Sequence, residues 1–264
     1  MDYIAHFRGE TAAFTEAARA AANLDTAPAV PSCPEWLVTD LILHLGVVHR
    51  GVARVLRDRM AEPPASGDPA DLGLSREWAA WLPPARAPGD APVPGGLVTW
   101  FQAGAAALAE QFETTPSSEP VWTWWDDKTA GFWCRMQAIE AAVHRWDAQN
   151  AVGEPRPLDT GLAADAVEQT LTVMAPARRV WMNAPPGRGE RYLFRRLDGP
   201  GEWAVQFGAE GIQFPAPDGP ADAEISGAVS DLALFLWQRD VTGKLSVQGD
   251  SSLLDRYFVL VPPV

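Results

Sequence analysis

The stretch GEPRPLD at residues 153–159 constrains the fold of this chain more than any other. A glycine and two prolines within five residues stop a helix, and the hydrophobic period differs on the two sides of the break. Before it, apolar residues recur at helical spacing over residues 2–22 (Ile4, Phe7, Phe14, Ala18, Ala21) and from Val38 to about residue 59 (Val38, Leu41, Leu45, Val48), with two further helices predicted over 97–113 and 131–150. After it, a helix over 160–174 gives way to RYLFRRL, EWAVQFG and GIQFPAP, short alternating runs divided by turns. A strand and amphipathic helix in AEISGAVSDLALFLWQRD, a strand in LSVQGD and a terminal helix in SSLLDRYF, capped by Ser251 or Ser252, complete the chain. The expected class is therefore α followed by α+β: a four-helix bundle over residues 1–154 and a smaller α+β domain over 155–264.

Two segments of the bundle half resist helix formation. Residues 23–37 are rich in turns, with Pro28, Pro31 and Pro34, and the interval 61–96 holds eight prolines. The latter reads as a long loop with one short helix near residues 75–81. A loop of that length in a compact domain is commonly functional or mobile, and this one is a candidate border of a ligand cleft.

At 264 residues the chain is long enough for two cores, and its 47% hydrophobic and 21% charged content is that of a globular protein. A net charge of −13 with no basic stripe argues against nucleic acid or an anionic membrane as partner, and favours a small molecule. No signal-like N-terminus or 18-residue uncharged apolar stretch occurs, so a cytoplasmic location is expected. The two cysteines, Cys33 and Cys134, are expected as free, buried, inert thiols. The expected assembly is a monomer or weak homodimer. All but Lys128 and Lys244 of the 21 basic residues are arginine, a bias of GC-rich coding.

The passage EAAVHRWDAQN, residues 140–150, concentrates chemistry on one helix. Glu140 and His144 stand four apart and leave the same face. His44, at the edge of the apolar stripe of DLILHLGVVHR, points toward the bundle interior and can meet them. Together they offer one oxygen and two nitrogens, the mixed donor set of zinc sites that keep a position open. Spacing alone leaves two other readings, an intrahelical polar pair and a hydrogen-bonded core histidine. Asp40, one turn before His44, is expected to accept the imidazole N–H not used for a metal. His49 reads as structural, and Arg50 cannot be assigned. No G-x-S-x-G, P-loop or G-x-G-x-x-G pattern occurs.

The segments SCPEWLVTDLILHLGVVHR and PVWTWWDDKTAGFWCRMQAIEAAVHRWDAQNAVG, in that order and about 100 residues apart, resemble the mycothiol-dependent maleylpyruvate isomerase family. DAEISGAVSDLALFLWQRD and VQGDSSLLDRY resemble its C-terminal domain, which is similar to sterol carrier proteins. The resemblance implies a DinB-like bundle in which His44, Glu140 and His144 hold a divalent metal, usually zinc, and a thiol cosubstrate, mycothiol, whose ionised sulfur attacks an electrophilic, anionic small molecule. The outcome would be cis–trans isomerisation of a maleylpyruvate-like substrate or S-transfer. Leu37 replaces a threonine frequent at the helix start in that family, and Gln149 a common glutamate.

Asp147, one turn past His144, is expected to hydrogen-bond the thiol cofactor, or else to form a salt bridge with Arg145 or another arginine. The bundle shows no obvious inward arginine near the ligand motifs, so Arg239, at a helix end in the second domain, is the expected catalytic cation for an anionic substrate. Its alternative reading is an arginine that complements the helix dipole. Two rival functions remain: a non-catalytic small-molecule or lipid binder with a structural metal, and a zinc-dependent hydrolase whose only candidate base is Asp147.

Overall fold

Asp2 starts the first helix by accepting the backbone N–H of Ala5 at 3.0 Å. The fold is taken from a computed structural model, which describes residues 1–64 and 69–263. Contacts divide the chain into two units, Met1–Arg156 and Pro157–Val264.

In the first unit, α1 (Tyr3–Ala22), α2 (Val38–Arg57), α4 (Gly95–Thr114) and α5 (Ala130–Val152) are the four helices expected from the periodicity. α1 packs on α4 and α5, and α2 packs on the same two, which closes the bundle. The core between them is Phe7, Phe14, Leu41, Leu45, Phe101, Leu108 and Ile139, all buried. Gly46 permits the α2–α4 approach: a Cβ there would fall 2.2 Å from the Trp100 ring. The short helix in the proline-rich loop is α3 (Arg76–Ala79), with the Ser75 side chain accepting from Trp78 N. Four residues of that loop, 65–68, lie outside the described residues.

Residues 29–37 were expected as turns alone. Ala29–Val30 (β1) and Cys33–Leu37 (β2) instead pair as a small antiparallel hairpin with an irregular register. Its strands are too short for any alternation to register. A second difference lies past residue 160. The helix does not end at Met174: α6 (Thr160–Gln169) widens into a π turn, Thr170–Met174, and continues as α7 (Ala175–Trp181). Pro176 is the cause, since it cannot donate to residue 172 and its ring crowds that carbonyl; a widened turn just ahead of it lets the chain stay helical.

The second unit carries a five-stranded sheet in the order β5-β4-β3-β6-β7, formed by β3 (Glu190–Arg196), β4 (Glu202–Gly208), β5 (Gly211–Gln213), β6 (Ala223–Gly227) and β7 (Ser246–Gly249). β3, β4 and β5 form the expected meander, and β6 lies parallel to β3. Helix α8 (Val229–Leu236) packs on β3 and β6. Tyr192, Phe207 and Tyr257, the last from α9 (Leu253–Leu260), form a buried edge-to-face aromatic cluster. Ser252 stands at the start of α9 but does not cap it; its hydroxyl donates to Asp250 Oδ1 at 2.6 Å. Among the described residues, no helix is long and apolar enough to cross a membrane.

Candidate metal centre

Helices α2 and α5 bring His44, Glu140 and His144 together, with one donor atom from each lying within 4.8 Å of the others. His44 Nε2 is 3.4 Å from Glu140 Oε1, and the two imidazole rings are 5.2 Å apart and near perpendicular. Nitrogen and oxygen ligands of a tetrahedral zinc stand roughly 3.3 Å apart, given metal bonds near 2.0–2.1 Å. The donor set and its spacing therefore fit a divalent ion.

Each ligand on α5 has its own support. Asp147 Oδ2 lies 2.9 Å from His144 Nδ1; in the tautomer that donates from Nδ1 to this carboxylate, the lone pair of Nε2 is the one available for a metal. Asp147 is fully buried, and its other oxygen accepts from Ser32 Oγ at 2.6 Å. Ser32 sits in the turn of the β1–β2 hairpin, so the element that periodicity missed is the one that fixes Asp147. Gln137, one turn before Glu140, donates through Nε2 to Glu140 Oε2 at 2.7 Å. Burial pushes the Glu140 carboxyl up, but the hydrogen bond from His44 and the charges of His44, His144 and His49 outweigh it and hold the pKa at about 2. The carboxylate is ionised at neutral pH, as a metal ligand must be.

His44 has a different environment. Its side chain is 34% exposed, and the edge of the Trp36 ring lies against it, centroids 5.1 Å apart. The expected contact from Asp40 does not form. Asp40 Oδ2 accepts Leu37 N at 2.9 Å, and Oδ1 accepts Ala87 N at 3.0 Å. Backbone donors engage both oxygens of this carboxylate, one of them 47 residues away and invisible to local spacing. The first contact is half of a capping box, and it serves the start of α2 where Leu37 offers no acceptor of its own.

Asp147 lies against His144 and Ser32; its expected role toward a thiol cofactor is a separate matter from this contact. Arg145 pairs with Glu10 at 2.7 Å and donates to Gln149 Oε1 at 3.0 Å. Gln149 also accepts from Arg156 N, so this amide joins the end of α5 to the following chain. Arg239 follows α8 in the second unit, after Gln238 turns the chain with φ of 63°. Arg239 is buried, its N–H bonds Leu234 O, and its guanidinium donates to Trp237 O at 2.6 Å, a carbonyl of the helix end. That contact is of the kind the alternative, helix-end reading calls for.

His49 is structural: wholly buried between Phe7 and Phe101, with no hydrogen-bond partner for either ring nitrogen. Burial lowers its pKa to about 3. Arg50 packs over the Trp100 ring at 3.8 Å and donates to Trp100 O. Cys33 and Cys134 are free thiols, but both are partly exposed instead of buried. At Cys134, desolvation pushes the pKa to about 11, so that thiol stays protonated.

A helical bundle with a His-Glu-His centre between α2 and α5, followed by an α+β unit, defines the class. Within that class the chain belongs to a particular family: residues 7–149, more than half of its length, match the Mycothiol maleylpyruvate isomerase N-terminal domain. In overall fold the chain is similar to a crystal structure of the mycothiol-dependent maleylpyruvate isomerase, with a TM-score of 0.64, 14% identity, and 94% of this chain and 92% of the other covered. A mutant form of that enzyme gives a TM-score of 0.65 at the same identity and coverage. At that identity the likeness concerns the fold. No curated protein matches.

Proposed function

We propose that this chain is a metal- and thiol-dependent enzyme, with mycothiol as the thiol, that isomerises a small unsaturated acid resembling maleylpyruvate. The observation that carries the reading is the His44, Glu140, His144 group with its buried support in a chain of this family. His44, Glu140 and His144 would hold the ion, with zinc favoured by the two-nitrogen, one-oxygen donor set. When bound, the metal supplies a positive charge that keeps a neighbouring thiol ionised near neutral pH.

The chain's own residues prepare this chemistry. Asp147 sets the tautomer of His144, Ser32 holds Asp147, and Gln137 fixes one oxygen of Glu140 so that the other faces His44. In the reaction, the thiolate sulfur bonds to one carbon of an activated cis double bond, and the π electrons move onto the conjugated carbonyl. Rotation about the resulting single bond follows. The electrons then return, the carbon–sulfur bond breaks, and the trans alkene and the thiolate are released. S-transfer differs only in that the carbanion is protonated and the adduct leaves. Arg239 is proposed as the cation that stabilises the developing negative charge. On that assignment Arg239→Ala should keep its metal and lose turnover on the order of a hundredfold; unchanged turnover removes the role.

The hydrolase reading lacks a base, because Asp147 is fully buried with both oxygens engaged. The structural-metal reading requires a fourth protein ligand, and the group found among the described residues has three. The deciding experiment is an assay of maleylpyruvate with the protein zinc-loaded or chelated, with and without mycothiol. Turnover should need both. Turnover without thiol, or none under any condition, overturns the proposal, and a stable thioether product assigns S-transfer.

A further inference from the structure

Beside His44 the first unit holds a cavity of about 190 Å³, walled by Trp36, Leu43, Val47, Trp81 and Leu82, with Arg86 and Asp40, whose two oxygens accept from Leu37 N and Ala87 N, among its lining residues. It is small against the roughly 300–1,000 Å³ of drug-sized ligand sites. Three observations give it a direction. His44, a proposed metal ligand, lines it, so an occupant lies next to the metal centre. Its walls are mostly aliphatic and indole surface. Arg86 is the one arginine lining it among the described residues, and its contacts are long: Nη1 donates to Ala85 O at 3.4 Å, its guanidinium lies 5.8 Å from the Trp36 ring, and it stands 3.9 Å from the carboxylate of Glu35, which is 89% exposed.

Arg86 is also held in place. Its neighbour Ala87 donates its N–H to Asp40, one turn before His44 on α2. The proline-rich loop is thus fastened to the helix that carries a metal ligand, and the fastening falls one residue from the guanidinium. Asp40 is in this sense a positioning residue for the loop.

We propose that this cavity is the electrophile subsite: it takes a carboxylate with a flat apolar body, an aryl- or alkenyl-substituted unsaturated acid in preference to a compact polar diacid, and Arg86 receives the carboxylate. The inference rests on the proposed thiol-dependent chemistry at the metal but assigns what that reading leaves open, the substrate's apolar body and the residue that binds its charge. Trp36 and Trp81 give the body faces to lie against. Arg86, planar and with several donors, suits a carboxylate better than a lysine would. Held in this cavity, the double bond of such an acid lies on the His44 side of the centre.

The test is calorimetric titration of the zinc-loaded protein with trans-cinnamate, maleate and cinnamyl alcohol, repeated on Arg86→Ala and Arg86→Lys. Arg86 is exposed, so neither substitution disturbs a core. Cinnamate should bind more tightly than maleate. Arg86→Ala should weaken cinnamate on the order of tenfold or more, Arg86→Lys should weaken it less, and the alcohol should be indifferent to both. Cinnamate binding that survives Arg86→Ala unchanged overturns the assignment, since the carboxylate would then be held elsewhere, for instance by the metal. Tighter binding of maleate than of cinnamate overturns the role of the walls. Either result leaves thiol-dependent turnover of the wild-type protein standing, whereas loss of that turnover with Arg86-dependent cinnamate binding intact overturns the proposed reaction and not the subsite.

Discussion

Helices α2 and α5 each bring histidine to the same point, and they do so in opposite ways. On α5, His144 is buried and braced by a chain of hydrogen bonds through Asp147 to Ser32, and Glu140 is braced by Gln137. On α2, His44 is 34% exposed, touches the Trp36 ring edge and lines a cavity. Both histidines have an aspartate one turn away, yet only Asp147 serves its histidine; Asp40 serves the backbone. One helix holds a braced pair of donor groups, and the other holds its donor half open at the edge of a cavity. Rigidity and access are thereby assigned to different helices of one centre.

The largest test of this contrast removes a ligand from each side. His144→Ala should lower zinc affinity on the order of a thousandfold, as the loss of a braced ligand, and His44→Ala should cost less; titration against a competing chelator reads both. If His44→Ala is the more damaging, the contrast is inverted. Next in size, Asp147→Asn should lower metal affinity about 10- to 100-fold, because the amide no longer accepts reliably from Nδ1, while Asp40→Asn should leave affinity within a few-fold. Equal losses would show that the two aspartates are equivalent after all.

A third test concerns His49, on α2 beyond His44. Its folded pKa of about 3 lies below the ordinary 6.5, so in the interval between them the unfolded chain takes up a proton that the folded chain refuses. The stability involved is fully present above about pH 6.5 and is lost as pH falls toward 3, by up to about 5 kcal/mol. His49→Leu should flatten that part of the acid profile. It should also stabilise the protein by about 1–2 kcal/mol at pH 7.5, since two unpartnered ring nitrogens leave the core. Denaturant unfolding of both proteins across pH 4–8 gives both quantities, and a parallel pair of profiles contradicts the account. The smallest effect is expected for Ser32→Ala, a loss of a few-fold in metal affinity with no change at His44.

The four bundle helices and the meander were legible in the sequence because each buries one face, and burial of one face writes a period of 3.6 or 2 into the residues. The convergence of His44, Glu140 and His144 was legible for a related reason: four-residue spacing on α5 and an inward position on α2 are both consequences of helix geometry. What stayed hidden depends on contacts between distant residues. Asp40 and Asp147 look alike at one turn from a histidine, and only the approach of Ala87 to the first and of Ser32 to the second separates them. The β1–β2 hairpin is too short to show a pattern, and Arg86 sits among prolines where no face can be assigned. No local period marks how the chain passes through Pro176 on a widened turn.

Asp40 fastens the loop by accepting main-chain N–H groups, at Leu37 and at Ala87. A fastening of that kind is blind to side-chain identity: any residue but proline can stand at 37 or 87 and still be gripped. The leucine at position 37, with no side-chain acceptor of its own, is therefore gripped as well as another residue would be. The same indifference extends to the loop itself. Residues between the bundle helices can be rewritten, and the cavity they wall reshaped, while the anchor and the His-Glu-His trio stay as they are. Such a joint separates the part of the chain that can drift from the part that cannot.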